Sequence, residues 1–204
     1  PAGFVTTMSD PQGRPTVAAL MADPLAAYPA LFPVGRLDAD TTGLLLFTTD
    51  GELGHGLLHP RRHVDKTYLA LVEGRLNDCD LRRLREGLML DDGPTLPAGA
   101  RALVGDAARR AERLIGSDAA ASGRRQRHGG KRSRAALAGQ GSYVEVRLRE
   151  GRKRQVRRML EAVGHPVIAL HREAFGPLEL GDVPRGEARQ LTDAEVAALR
   201  EFAS

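Results

Sequence analysis

The stretch VGRLDADTTGLLLFTTDGELG, residues 34–54, sets two short strand-like runs in front of a helix start. Val34 to Asp38 and Gly43 to Thr48 read as strands. Asp50 reads as the N-cap of a helix running to Leu58, its side-chain oxygen placed to accept an orphan amide of the first turn. On an extended strand Arg36 and Asp38 are two residues apart and share a face. A guanidinium there lowers an aspartate pKa by about 1 to 3 pH units and keeps it ionised when partly buried. That is the state in which a carboxylate nucleophile is held. The same Arg-x-Asp pair is more often a structural ion pair, and Asp40 and Asp50 compete for any such role.

Working outward, Lys66 to Glu73, Ser142 to Arg149 and Pro166 to Arg172 read as further strands. Arg14 to Ala22, begun by Pro15, reads as a helix, and Leu81, Leu84 and Leu88 mark another after Asp78. Near the end, Thr192 and Glu195 form a capping box ahead of Val196 and Leu199. Short helices interleaved with strands of unequal length, without an internal repeat, predict an α+β protein rather than a regular βαβ array.

With 204 residues, 42% hydrophobic and 27% charged, the chain has the composition of a globular domain that buries a core, not of a collagen-like or disordered one. Its longest apolar run, Gly43 to Phe47, is far below the roughly 18 to 20 residues that cross a bilayer. One cysteine, Cys79, excludes a disulfide framework and a thiolate-rich metal site, and suits a reducing compartment. The chain opens at Pro1 with no charged-then-apolar leader, so no signal peptide is read and a segment is expected to precede it.

The net charge is +4, but residues 124 to 158 alone hold 13 Lys and Arg against Glu145 and Glu150, a local +11, which leaves −7 for the remainder. A concentrated arginine block is the footprint of a polyanion partner, although GC-rich coding also produces such a bias. The block has two halves. From Ser117 to Gly141 there are no periodic apolar positions and many Gly, Ser, Ala and Arg, the composition of a disordered insertion. From Ser142, Val144, Val146 and Leu148 alternate with charged residues at strand period. After Gly151, Val156, Met159, Leu160 and Val163 fall on one side of a helix and Arg154, Arg157 and Arg158 on the other, with Gly164 and Pro166 ending it.

Familiar chemistries find little support. Neither GxxxxGK[ST] nor a helix-opening GxGxxG is present. His55, His59 and His63 repeat every four residues, but Pro60 interrupts the helix and no HExxH glutamate accompanies them. Asp38, Asp40 and Thr42 begin like a calcium loop whose twelfth position is Thr49 instead of the bidentate Glu. No GxSxG elbow frames a serine. No metal site and no cofactor are expected.

Four ordered blocks carry a family resemblance: GRLDADTTGLLLFTTDGEL (35–53), HPRRHVDKTYLALVEG (59–74), EGRKRQVRRMLEAVGHPV (150–167), and LHREAFGPLEL (170–180) with GEARQLT (186–192). With the opening PAGFVTTMSDPQGRPTV they span essentially the whole chain outside the insertion. Together they resemble the ribosomal RNA pseudouridine synthases of the RsuA/RluB/RluE/RluF type, the opening segment leaning toward the RluB-like large-subunit branch. The resemblance implies an α+β pseudouridine synthase fold, a mixed, largely antiparallel sheet flanked by helices with a central cleft. It implies one catalytic domain over residues 1–204, interrupted by the insertion at 117–141, which is not a family feature, and an S4-type RNA-binding domain before Pro1. Asp38 is then the catalytic aspartate, Tyr68 packs on the target uracil, and Arg157 reaches into the cleft to pair with Asp38. Arg36 is a further substrate-binding candidate, and Arg154 and Arg158 are candidates for the RNA backbone. Thr49, Lys153 and Ala188 depart from residues common in the family, none at a catalytic position. The expected reaction is isomerisation of uridine in ribosomal RNA, more of 23S than 16S type, by an aspartate nucleophile. The expected partner is ribosomal RNA or a pre-ribosomal particle, for a monomer in the cytoplasm away from any membrane. The rival is a catalytically idle RNA-binding or ribosome-assembly module on the same fold.

Overall fold

Residues 1–122 and 141–203 are described by the computed structural model. They divide into two units, one of Pro1–Asp65 with Glu173–Ser204, the other of Lys66–Arg172.

In the first unit the segment expected to be helical from Arg14 is extended as far as Thr16. Val5 takes it up in a parallel bridge to Thr16, with Val5 N–H donating to Pro15 O at 2.8 Å and Val17 N–H to Val5 O at 3.1 Å. A pairing with Val5, eleven residues before Thr16, thus overrides the helical signal of Pro15. A 3₁₀ turn, Val17–Met21, and the short helix α1, Ala22–Ala27, follow. Strand β1 is Phe32–Val34, β2 is Thr41–Gly43 and β3 is Leu46–Thr48. β1 and β3 are antiparallel, with Val34 opposite Leu46. The strand expected over 34–38 therefore ends where Gly35 turns to φ +78°, a backbone state glycine adopts without penalty. The run expected over 43–48 is two strands rather than one. Helix α2, Gly51–Leu58, begins as expected, Asp50 accepting from Leu53 N–H at 3.0 Å.

The second unit opens with β4, Lys66–Glu73, and α3, Asp78–Glu86, which starts in a capping box between Asn77 and Asp80. A small hairpin, β5 (Met89–Leu90) and β6 (Gly93–Pro94), precedes β7, Gly99–Leu103, and α4, Gly105–Ser122. α4 runs into the stretch read as an insertion from Ser117. Residues 123–140 of that stretch lie outside the described residues. Then come β8, Gly141–Leu148, α5, Gln155–Ala162, and β9, Val167–Phe175, whose residues to Arg172 belong here. The sheet order is β9-β4-β8-β7, with β4 and β7 both antiparallel to β8.

Period-two alternation splits the core of this unit into two layers. Ala70, Val72, Val144, Val146 and Leu148 face Leu81 and Leu84 of α3 and Val156, Met159 and Leu160 of α5. Leu69, Leu71, Leu103 and Ile168 form the other layer with Ala111 and Ile115 of α4. Helices on both sheet faces explain why Leu69 to Val72 form a continuous buried run.

The chain returns to the first unit through the end of β9, with β10, Leu178–Glu179, antiparallel to it, and closes in α6, Asp193–Ala203. The expected capping box is present, Glu195 N–H donating to Thr192 Oγ1 at 3.3 Å and Thr192 N–H to Glu195 Oε2 at 2.8 Å. Val34, Leu46, Leu53, Leu57, Val64, Phe175, Leu178 and Leu199 form this unit's core. The architecture is α+β, with six helices among the described residues. None of them is long and apolar enough to cross a membrane.

Candidate active site

Arg36, Leu37 and Asp38 lie outside any strand, so β alternation does not set the relation of Arg36 to Asp38. The loop is shaped by two other devices. Thr6 Oγ1 donates to Leu37 O at 2.8 Å and accepts from Leu37 N–H at 3.1 Å, holding both polar groups of the residue between Arg36 and Asp38. Asp38 O accepts from Thr41 N–H at 2.8 Å, closing a turn over Ala39 and Asp40, while Gly3 N–H donates to Ala39 O at 2.6 Å. Thr41 and Thr42 anchor the far end, both buried. Arg36 is exposed and Asp38 half-buried, and Asp38 sits on a fixed backbone.

Tyr68, Arg154, Arg157 and Arg158 belong to the second unit. Tyr68 is half-buried on β4 opposite Val146. It packs on the layer to which Val156, Met159 and Leu160 of α5 contribute, so the structure brings Tyr68 and α5 to one core.

The arginines of α5 do not form the exposed face expected of them. Arg157 is 6% exposed, and its Nη1 donates to Val167 O at 3.5 Å. Arg158 is bound to Asp92 at 2.8 Å. Arg154 is exposed at the N-cap, in the left-handed region at φ +52°. An apolar stripe read from sequence marks one packed face, but here β9 and the β5–β6 hairpin also pack near the helix, and they take up Arg157 and Arg158.

Sequence reasoning misses the network that seats this helix. Gln155, 3% exposed, accepts from Arg152 N–H at 3.1 Å and donates to Glu150 Oε1 at 2.5 Å. Glu150 Oε1 also accepts from Leu96 N–H at 2.9 Å. The Arg152 guanidinium reaches Asp92 Oδ1 at 3.2 Å, Gly93 O at 3.0 Å, Glu150 Oε2 at 3.2 Å and the carbonyl of Pro94. The turn of the β5–β6 hairpin is thereby fixed to the start of α5, two residues before Arg157. Arg158, and then Arg152, hold the Asp92 carboxyl down at about 2, against an ordinary 3.8. No sequence signal links Asp92 to Arg158, 66 residues on.

Residues 1–162 match the family described as RNA pseudouridylate synthase. The chain belongs to this family. Among its pseudouridylate synthase relatives is ribosomal large subunit pseudouridine synthase B of Bacillus subtilis (strain 168). The two are 38% identical over 204 residues, which is 100% of this chain and 70% of that protein. The protein of the same name from Escherichia coli O157:H7 is also 38% identical over 204 residues, 99% of this chain and 58% of that one. A solved structure titled as a pseudouridylate synthase matches with a TM-score of 0.73 at 30% identity, covering 98% of this chain and 70% of the other. The chain thus spans between about three fifths and seven tenths of these relatives. Its GRLD loop, KTY strand and QVRRM helix all lie within the aligned length.

Proposed function

We propose that this chain isomerises uridine to pseudouridine in ribosomal RNA, with large-subunit RNA as substrate and Asp38 as the nucleophile. The reaction breaks the C1′–N1 bond and joins C1′ to C5. A proton leaves C5 and one is gained at N1, so there is no net redox change. The target base must leave its stack, at a cost of a few kcal/mol. Stacking on Tyr68 returns about 1 to 3 kcal/mol of that, and the ionised Asp38 then attacks the nucleoside. Arg157 orients the carboxylate, Arg36 contacts the substrate and Arg154 contacts the RNA backbone, while Arg158, held by Asp92, serves to seat α5. The chain has only eight aromatic residues, so backbone electrostatics supply much of the affinity. In this reading the protein acts as a monomer in the cytoplasm, where ribosomal RNA is the partner.

The observation that carries the reading is the GRLD loop itself. Its aspartate is half-buried on a backbone tied down at Leu37 by Thr6 and at Asp38 by Thr41, and a positioned, accessible carboxylate is what nucleophilic attack requires. Pseudouridine mapping across ribosomal RNA from cells with and without this chain tests it. The expected result is loss of modification at a large-subunit position. Identical maps overturn the proposal.

A further inference from the structure

Eight residues of the first unit line a cavity of about 700 Å³: Gly51, Glu52, His55 and Gly56 along one face of α2, His59 at its C-cap, Arg61 and Arg62 on the 3₁₀ turn after it, and Ala203 at the end of α6. Gly56 lets the two helices meet there, since a Cβ on it would lie 2.9 Å from the Cβ and the carbonyl oxygen of Ala203. The lining is rich in cations and donors and holds one carboxylate, Glu52. Several arginines elsewhere are matched to acids: Arg14 with Asp10, Arg101 with Glu145, Arg152 and Arg158 with Asp92, Arg189 with Glu195 and Arg200 with Asp50. Arg61 and Arg62 are exposed, and among the described residues neither has a carboxylate partner.

The histidines add to this. The rings of His55 and His59 meet edge to face with centroids 5.8 Å apart, so the four-residue spacing seen in the sequence does put them together. Among the described residues no group of three metal-binding side chains exists. His59 Nδ1 accepts the Arg61 backbone N–H at 3.3 Å. The neutral ring therefore carries its proton on Nε2 and is a hydrogen-bond donor even when uncharged.

We infer that this cavity is a docking site for the backbone phosphates of the RNA substrate, outside the uridine pocket, with Arg61, Arg62 and His59 as its donors. The inference rests on the reading of the chain as an RNA-modifying enzyme and names a second point of attachment for the same RNA. Consecutive phosphates suit two adjacent guanidiniums, which bind phosphate oxygens in a planar, bidentate fashion. The helix that lines the cavity also reaches the start of the GRLD loop within its own unit. Leu58, the last residue of α2, has Cδ2 3.1 Å from where a Cβ on Gly35 would stand. His55 is only about 5 Å from Leu58 along the helix axis at the usual rise per residue. RNA seated in the cavity is thereby led toward the GRLD loop.

The test compares the full chain with Arg61→Gln/Arg62→Gln, Arg61→Lys/Arg62→Lys and Glu52→Gln, using in-vitro-transcribed 23S ribosomal RNA. Binding is measured from 50 to 200 mM salt, and pseudouridine formation is measured in parallel. Leaving two phosphates without their cations makes the log–log salt slope shallower by about 1.4 to 1.8 and raises Kd at 50 mM salt ~10-fold. KM rises accordingly and kcat at saturating RNA is unchanged. The lysine pair keeps most of the slope, and Glu52→Gln tightens binding. An unchanged slope in the glutamine pair, or an equal loss in the lysine pair, overturns the inference. Should the glutamine pair lose slope while the intact chain makes no pseudouridine, the docking site stands and the enzymatic reading fails. Should the intact chain turn over and the glutamine pair match it in Kd and KM, the enzymatic reading stands and the docking site fails.

Discussion

Thr6 governs the backbone on which Asp38 is presented, because one hydroxyl serves both the amide and the carbonyl of Leu37. Thr6→Val removes both bonds and leaves two part-buried polar groups unmatched, a loss of about 1 to 3 kcal/mol in stability. The larger effect falls on turnover, since a shift of about 1 Å in a reacting group can cost on the order of 100-fold. The expected outcome is a fall in kcat of about 10- to 100-fold, restored by Thr6→Ser and read from single-turnover pseudouridine formation alongside thermal unfolding. Asp38 itself is singled out by the GRLD motif. Its environment is not: Thr6 lies 31 residues before Leu37, and the positive φ of Gly35 breaks the strand that a shared face for Arg36 and Asp38 requires.

The starts of α2 and α6 are legible because each is capped by a local device, spanning three residues of sequence. Asp50 shows its worth at α2, where it accepts from Leu53 N–H and also meets Arg200 of α6 at 3.0 Å. Asp50→Ala lowers stability by about 1 kcal/mol, most of it from the missing cap because the ion pair is largely exposed. A shift of the urea midpoint at constant slope checks this. The setting of α5 depends instead on partners far along the chain, so its periodicity alone puts the arginines on a solvent face that the fold does not leave open. Asp92 ties the β5–β6 hairpin to Arg158 and Arg152, and its carboxyl titrates near 2 in the folded protein against an ordinary 3.8. A depressed folded pKa stabilises above the unfolded value and ceases to do so as pH falls through the folded one. Asp92→Asn is therefore expected to melt below the parent at pH 7, with the gap closing between about pH 4 and 2. Melting curves over that range check it, and a gap independent of pH contradicts it.

At the scale of the whole molecule, charge is distributed along the sequence more unevenly than the total of +4 shows. Arg124, Arg125, Arg127, Lys131, Arg132 and Arg134 fall outside the described residues, and their composition alone points to a polyanion. Replacing all six with glutamine is expected to weaken RNA binding and make its salt dependence shallower, by up to about 0.7 to 0.9 in the log–log slope for each phosphate no longer neutralised. An equilibrium titration at several salt concentrations measures it, and an unchanged slope makes the segment a bystander. The α+β class, the long strands β4, β8 and β9 and the order of the motifs are legible in the sequence, since each depends on period or local chemistry. The division into two units is not, because it is set by pairings between segments far apart in the chain. The proposed function turns on the carboxylate of Asp38, and the most direct measurement is pseudouridine formation by Asp38→Asn on in-vitro-transcribed 23S ribosomal RNA. The account predicts no detectable product while RNA affinity stays within a few-fold of the parent. Product formed at anything near the parent's rate contradicts it.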